Sequence, residues 1–320
     1  MIVAFDARDA HRPPLRGWGR YAAELERTLP ELVDLQVVRD GGPGPEVVFE
    51  QWRWPRKLAR SNPDLVHAPN CFLPLRRPCP GVVTVHDLAF ETHPEDFARQ
   101  TGAKYRYFTP RAVRSAERVI CVSRFTADDV AARYGVAEAK LRVVANAPSL
   151  PVGSAPVPDG EPYVLAIGDR RAKKNLDRLV EAWRAGAADG RRLIVAGLGE
   201  AAWPGVETPG FVDDAQLDAL LRGADLLVHP SLYEGFGLVV AEAMARGVPV
   251  ACSATTALGE LGEGAAELFD PLDADAIGAA MTRALERGEE LARLGRERVA
   301  GLSWEHTARE TVAVYAELAA

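Results

Sequence analysis

Short β-branched runs alternate along this chain with longer amphipathic stretches, and that rhythm constrains the fold more than any other feature. The runs IVAF (2–5), LQVV (35–38), DLVH (64–67), VVTV (82–85), RVICV (118–122) and LRVV (141–144) read as strands. Between them, 20–33, 103–116 and 126–134 read as helices, the last capped by Ser123 or Thr126. Strands regularly separated by helices imply a parallel sheet, because parallel neighbours need a long crossover rather than a hairpin.

The rhythm stops once. Residues 147–162, APSLPVGSAPVPDGEP, carry five prolines and two glycines and read as a linker. It then restarts with YVLAI (163–167), a helix at 175–187, RLIVA (192–196), a helix at 214–222, DLLVH (225–229), a helix at 238–246 and VPVAC (248–252). Three helical stretches, 273–287, 289–300 and 303–318, close the chain. With 320 residues, 48% of them hydrophobic, there is enough chain for two cores. The expected architecture is α/β, with two Rossmann-like doubly wound parallel-sheet domains facing a central cleft. Its divisions are a first Rossmann-like domain at 1–150, a linker at 151–162, a ligand-binding domain at 163–302 and a helix at 303–320 crossing back to the first domain. Open parallel sheets bind ligands beyond the carboxyl ends of their strands. The loops after strands therefore carry the functional information.

A net charge of −7 argues against a nucleic-acid binder. The four cysteines (Cys71, Cys79, Cys121, Cys252) include no C-x-x-C pair, and three lie in or beside apolar runs, as buried free thiols in a reducing compartment do. The start, MIVAFDARD, lacks the basic-then-apolar order of a signal peptide. No apolar run nears the roughly 20 residues a bilayer requires. A cytoplasmic protein is expected.

GDRRAKKN (168–175) follows the strand at 163–167 and gathers Arg170, Arg171, Lys173 and Lys174 beside a helix start, a composition suited to a phosphate or diphosphate. The plain alternative is a solvated basic loop. HPSLYEGFGLVVAEAMARG (229–247) follows the strand at 225–229. Gly235 and Gly237 allow a sharp turn and close approach of a ligand. The amides from Phe236 through Leu238 to Val239 would form an anion site at the helix start. Glu242 leans back toward that end and suits neutral hydroxyls such as those of a ribose; Glu234 suits hydroxyls beyond the other end of the phosphate. Together they suggest a sugar–diphosphate–nucleoside ligand. In the first domain RGWGRY (16–21) places Gly17 and Gly19 at a helix start facing the cleft. TVHDL (84–88) sets His86 at a strand end, either a satisfied core histidine or a ligand for a sugar hydroxyl oriented by Asp87.

Together, GWGRYAAEL, TVHDL, VSRFTADDV, VVANA, GDRRAKKNLDRLVEAW, GFVDDAQLDALLRGADLLVHPS and YEGFGLVVAEAMARGVPV resemble the retaining glycosyltransferases of family GT4, which have the two-Rossmann GT-B fold. Glu234 and Glu242 match that family's E-x7-E motif. The resemblance implies transfer of a sugar from a nucleotide donor with retention at the anomeric carbon, no cofactor and no metal ion. It implies that Glu242 holds the ribose, Glu234 the donor sugar, Phe236 to Leu238 the distal phosphate, Lys174 the diphosphate and His86 the donor sugar near the reacting carbon. Gly17 and Gly19 would line the acceptor side, and Phe211 and Val212 would lie near the base. Many members have an arginine where this chain has Asp169, so Arg170, Arg171 or Lys173 would supply that charge.

The style of these motifs is closest to mannosyl- and rhamnosyl-transferring members, which favours GDP-mannose among NDP-hexose donors. The acceptor would be a glycan, a glycolipid or a small-molecule glycoside. Two basic-aromatic stretches of the first domain, 51–60 and 99–114, suit either peripheral contact with the inner membrane face or packed, solvated helices. Two further readings compete: a GT-B relative with phosphorylase or epimerase chemistry, and a non-catalytic sugar-nucleotide-binding partner.

Overall fold

The protein is described here by a computed structural model covering residues 1–13, 15, 17–158, 160–198 and 203–318. The chain divides into two compact units, Met1–Asn146 with Leu302–Ala320, and Ala147–Gly301.

In the first unit, strands β1 (Ile2–Asp6), β2 (Asp34–Val38), β3 (Leu65–Ala68), β4 (Gly81–Val85), β5 (Arg118–Cys121) and β6 (Leu141–Val143) form a parallel sheet of order β2-β1-β3-β4-β5-β6. All five residues of β4 are buried, as expected of a parallel strand covered on both faces. Val66, Val83, Val85 and Val119 pack with Trp54, Phe90 and Ala112 of the covering helices. The first long helix is Gly17–Thr28, shorter than the 20–33 expected, because Leu29–Glu31 contains Pro30 and continues only as a 3-10 turn. Ser123 caps Arg124–Tyr134 through the Thr126 amide. The closing helix Trp304–Ala316 packs on Gly17–Thr28 and its Tyr315 reaches His67 on β3.

In the second unit, β7 (Tyr163–Ile167), β8 (Arg192–Ala196), β9 (Leu226–His229), β10 (Val250–Ser253) and β11 (Glu267–Phe269) form a parallel sheet of order β11-β10-β9-β7-β8. Its core joins Val164, Val195, Val228 and Ala251 to Ile277 and Met281 of the helix Ala274–Glu286.

The Pro-rich segment is tied down. The amides of Ser149 and Leu150 donate to Glu242, that of Gly153 to Asp218, and Arg246 donates to the carbonyls of Leu150 and Pro151. It is therefore a strap on the second unit, where the sequence suggests free chain. All four cysteines are free thiols, three of them buried. Among the described residues no helix is long and apolar enough to cross a membrane.

Candidate active site

The order of the second sheet reverses between β7 and β9, the place in an open parallel sheet where ligands bind beyond the strands' carboxyl ends. The loops after these two strands are 168–175 and 230–237. Asn175, in a left-handed conformation (φ 53°), donates to the carbonyls of Pro230 and Pro271, and the Leu232 amide donates to the Lys173 carbonyl at 2.8 Å. The backbone thus locks the two loops together.

This brings Lys174 Nζ to 2.6 Å from Glu234 Oε1. His229 Nε2 lies 3.3 Å from the same oxygen and 3.2 Å from Ser231 Oγ. Burial opposes ionisation of Glu234, but the ammonium groups of Lys174 and Lys173 outweigh it and hold the carboxyl well below its usual range. Burial pushes His229 down, with only partial compensation from Glu234, so the ring is neutral at physiological pH. Its Nδ1 is buried with no partner among the described residues. Lys173 is 3% exposed, whereas Arg170 is exposed to solvent. Arg171 does not stand free: it donates to both oxygens of Asp169, at 2.8 and 2.9 Å.

Helix Leu238–Arg246 starts at Gly237, whose φ of 98° is left-handed and which offers no side chain to cap the first amides. A Cβ at Gly237 would sit 2.7 Å from Leu258 Cδ2, so glycine is required for space as well as for conformation. Gly235 and Phe236 lie in the turn before it, and Leu238 opens the helix. Glu242 is 6% exposed and saturated on one side: Oε1 accepts the Ser149 and Leu150 amides, while Oε2 accepts from Arg246 at 2.7 Å. The lone glutamate of an apolar helix thus has partners in the strap and in Arg246. Phe211, 73% exposed, and Val212 follow Gly210, whose carbonyl accepts the Gly197 amide at the end of β8.

In the first unit His86 follows β4. Its Nε2 lies 2.8 Å from the Pro69 carbonyl, which can only accept, so Nε2 carries the proton and Nδ1 is the acceptor. Tyr21 packs edge-on against the ring at 4.8 Å. Burial pushes His86 down against the pull of that carbonyl and of Asp87. Pro69 orients the ring, and Asp87 Oδ1 accepts the Ala89 amide. Gly19 is buried in the helix Gly17–Thr28, and a Cβ there would meet the Asp9 carbonyl oxygen at 2.8 Å; Gly17 is exposed and Arg16 lies outside the described residues.

His229 and Ser231 escaped the sequence reading, although both stand in the stretch it singled out. Their only signal was position, at and just past the end of a strand. Asp9, Glu50, Asn70 and Lys104, which line a cavity of the first unit, also escaped it. Among the described residues no group of three or more His, Cys, Asp or Glu side chains is placed to hold a metal ion.

The family described as Glycosyltransferase Family 4 matches residues 16–148, and that described as Glycosyl transferases group 1 matches residues 153–298. The chain is 30% identical over 281 residues to O-antigen chain mannosyltransferase B of Escherichia coli, an alignment covering 78% of this chain and 74% of that one. The chain belongs to glycosyltransferase family 4. Its two parallel-sheet units are those of the GT-B fold. The sucrose-phosphate synthase structure from Thermosynechococcus elongatus superposes on this glycosyltransferase with a TM-score of 0.78 at 22% identity, over 99% of both chains. The structure of Anabaena Alr3699/HepE in complex with UDP and glucose has a TM-score of 0.71 at 17% identity, over 98% of this chain and 99% of that one.

Proposed function

We propose that this family 4 enzyme transfers a hexosyl group, with GDP-mannose the first candidate among NDP-hexoses, to an acceptor hydroxyl with retention and without a metal ion. The observation that carries the reading is the convergence of Lys174 and Glu234 at the point where the second sheet reverses its order. A diphosphate there would be neutralised by Lys173, Lys174 and the open amides at Leu238, with Arg170 a third cation; these are the charges that a metal supplies in other transferases. Glu234 would accept hydroxyls of the donor sugar while holding Lys174 in place, and Glu242 would offer the remaining lone pair of Oε2 to the ribose. Phe211 and Val212 would lie beside the base, and His86 Nδ1 would accept a donor-sugar hydroxyl.

In the reaction the acceptor oxygen would attack the anomeric carbon from the face the diphosphate leaves. The carbon–oxygen bond to the diphosphate breaks, and the leaving oxygen takes the acceptor's proton. The mannosyl preference is supported by the name of the E. coli relative, and a nucleoside diphosphate by the UDP complex of the Anabaena neighbour.

A thermal-shift screen with GDP, UDP, dTDP and ADP in EDTA tests this, repeated on Lys174→Ala. A nucleotide at 100 times its Kd adds about 2.7 kcal/mol of stability, a shift of a few degrees. One nucleotide stabilising the wild type but not the variant is expected. No shift with any of them would sink the reading and leave phosphorylase chemistry as its successor.

A further inference from the structure

Arg246, the last residue of the helix that carries Glu242, is enclosed together with an acid from another helix. Its side chain is 2% exposed, and that of Asp218, in the helix Asp214–Gly223, is 0% exposed. Every N–H of the guanidinium has an acceptor. Nε donates to Asp218 Oδ1 at 2.9 Å, and Nη1 to the Glu242 carbonyl at 2.9 Å and to Glu242 Oε2 at 2.7 Å. Nη2 donates to the carbonyls of Leu150 and Pro151, at 2.9 and 3.4 Å. Asp218 Oδ2 in turn accepts from Arg222 at 2.8 Å and from the Gly153 amide at 3.0 Å. Burying ions in this way seldom adds stability over apolar packing of the same volume. What it does here is fix a plane, because the guanidinium is a rigid fork and every prong is held.

The fork and the strap between them limit what Glu242 can still accept. A carboxylate offers about four acceptor positions, two on each oxygen. Both positions on Oε1 are filled, by the Ser149 amide and by the Leu150 amide at 2.7 Å. One position on Oε2 is filled by Arg246. One remains. Turning the carboxylate to free another would strand two amides and a buried guanidinium without their acceptor, and unmade bonds of that kind are the expensive ones. The neighbouring 2′ and 3′ hydroxyls of a ribose need two acceptor positions if both are to be held.

We propose that Glu242 holds one hydroxyl of the ribose and not two, and that Arg246 with the strap amides sets this limit. The chain then accepts one of the two monodeoxy forms of its nucleotide almost as well as the ribonucleotide itself. The transferase reading places a ribose at Glu242, and this rests on it; the number of open acceptor positions does not. Arg246 touches no substrate and acts through Glu242, as a positioning residue. A hydroxyl that donates to a carboxylate makes a charge-assisted bond, so removing it costs about an order of magnitude or more in affinity. A hydroxyl that meets no acceptor is removed at little cost.

The test is calorimetric titration of the full chain in EDTA. The base is the one that stabilises the protein among GDP, UDP, dTDP and ADP, taken as its ribo, 2′-deoxy and 3′-deoxy diphosphates. One deoxy form is expected to bind within about three-fold of the ribonucleotide, and the other about ten-fold or more weakly. Arg246→Met opens the second position of Oε2 and leaves Asp218 paired with Arg222. In that variant the deoxy form that the wild type tolerates should fall about five-fold or more behind the ribonucleotide. Should Arg246→Met fold poorly, the wild-type pattern decides alone. Losses of about ten-fold for both deoxy forms overturn the proposal, because two hydroxyls are then held. Equal binding of all three overturns it as well and leaves Glu242 to the strap. An unchanged pattern in folded Arg246→Met removes that residue from the account. Failure of the transferase reading looks different: none of the four bases binds, and the ribose goes with them.

Discussion

Lys174 and Glu234 make each other's burial tolerable. Each side chain is about one-seventh exposed, and neither would be stable there as a lone charge. Removing one partner therefore costs more than removing both. Lys174→Met is expected to lower stability by about 2 kcal/mol, less than for a fully enclosed pair because Lys173 remains nearby, while Lys174→Met/Glu234→Gln recovers part of the loss. The sign with pH follows from the depressed carboxyl. Its contribution is complete above the unfolded value of about 4.3 and is lost as pH falls from there through the lower folded value. Urea midpoints of wild type and Lys174→Met should thus differ most above pH 5 and draw together in acid. A constant difference across that window would show that the loss is packing, not charge. The sequence offered both residues separately, each beside a different strand end. Their direct contact, across 60 positions, depends on β7 and β9 being neighbours, which no local pattern reveals.

Short elements were the least legible. β11 has three residues and the helix Thr256–Gly262 seven, too few for a period of 2 or 3.6 to stand out. The strands of apolar, β-branched residues were readable to within a residue or two, because both their faces are buried. In the 51–60 and 99–114 stretches the structure divides the aromatics: Trp54 is core, Tyr105 lines the cavity, and the exposed Trp52 and Tyr107 each carry an arginine of their own helix over the ring. The turn at Gly237 is the element on which the proposed phosphate site depends. Gly237→Ala would suffer the left-handed backbone, about 1–2 kcal/mol, plus the contact with Leu258. Gly264→Ala, also left-handed at φ 72° but with open space around it, isolates the backbone part. Chemical denaturation should show Gly237→Ala to be the more destabilised by about 1 kcal/mol or more. Its nucleotide affinity should fall as well, since the first amides of the helix move with it. Equal losses for both glycines would mean that Leu258 yields without cost.

At the scale of the whole chain, the first unit is completed only by residues that follow the second. Tyr315 Oη lies 2.6 Å from His67 Nδ1, His67 Nε2 2.8 Å from Thr84 Oγ1, and Thr84 Oγ1 3.1 Å from Tyr21 Oη. Trp304 packs edge-on against Tyr21 at 5.9 Å. Burial pushes His67 down to about 3, so the ring is neutral and needs both partners. Since its folded value lies below the unfolded one, this histidine lowers stability as pH falls below about 6.5, where the unfolded chain takes up a proton that the folded one refuses. Tyr315→Phe leaves His67 Nδ1 without its partner and should lower the stability of the first unit by about 1–3 kcal/mol. A chain ending at Gly301 goes further, because it uncovers Tyr21 and a face of the helix Gly17–Thr28. Its first unit should be cut rapidly in limited proteolysis, while the second unit, whose core includes nothing beyond Gly301, survives and keeps its nucleotide-induced shift. Survival of both units at unchanged temperature would show the closing helix to be an ornament of the fold rather than part of its first core.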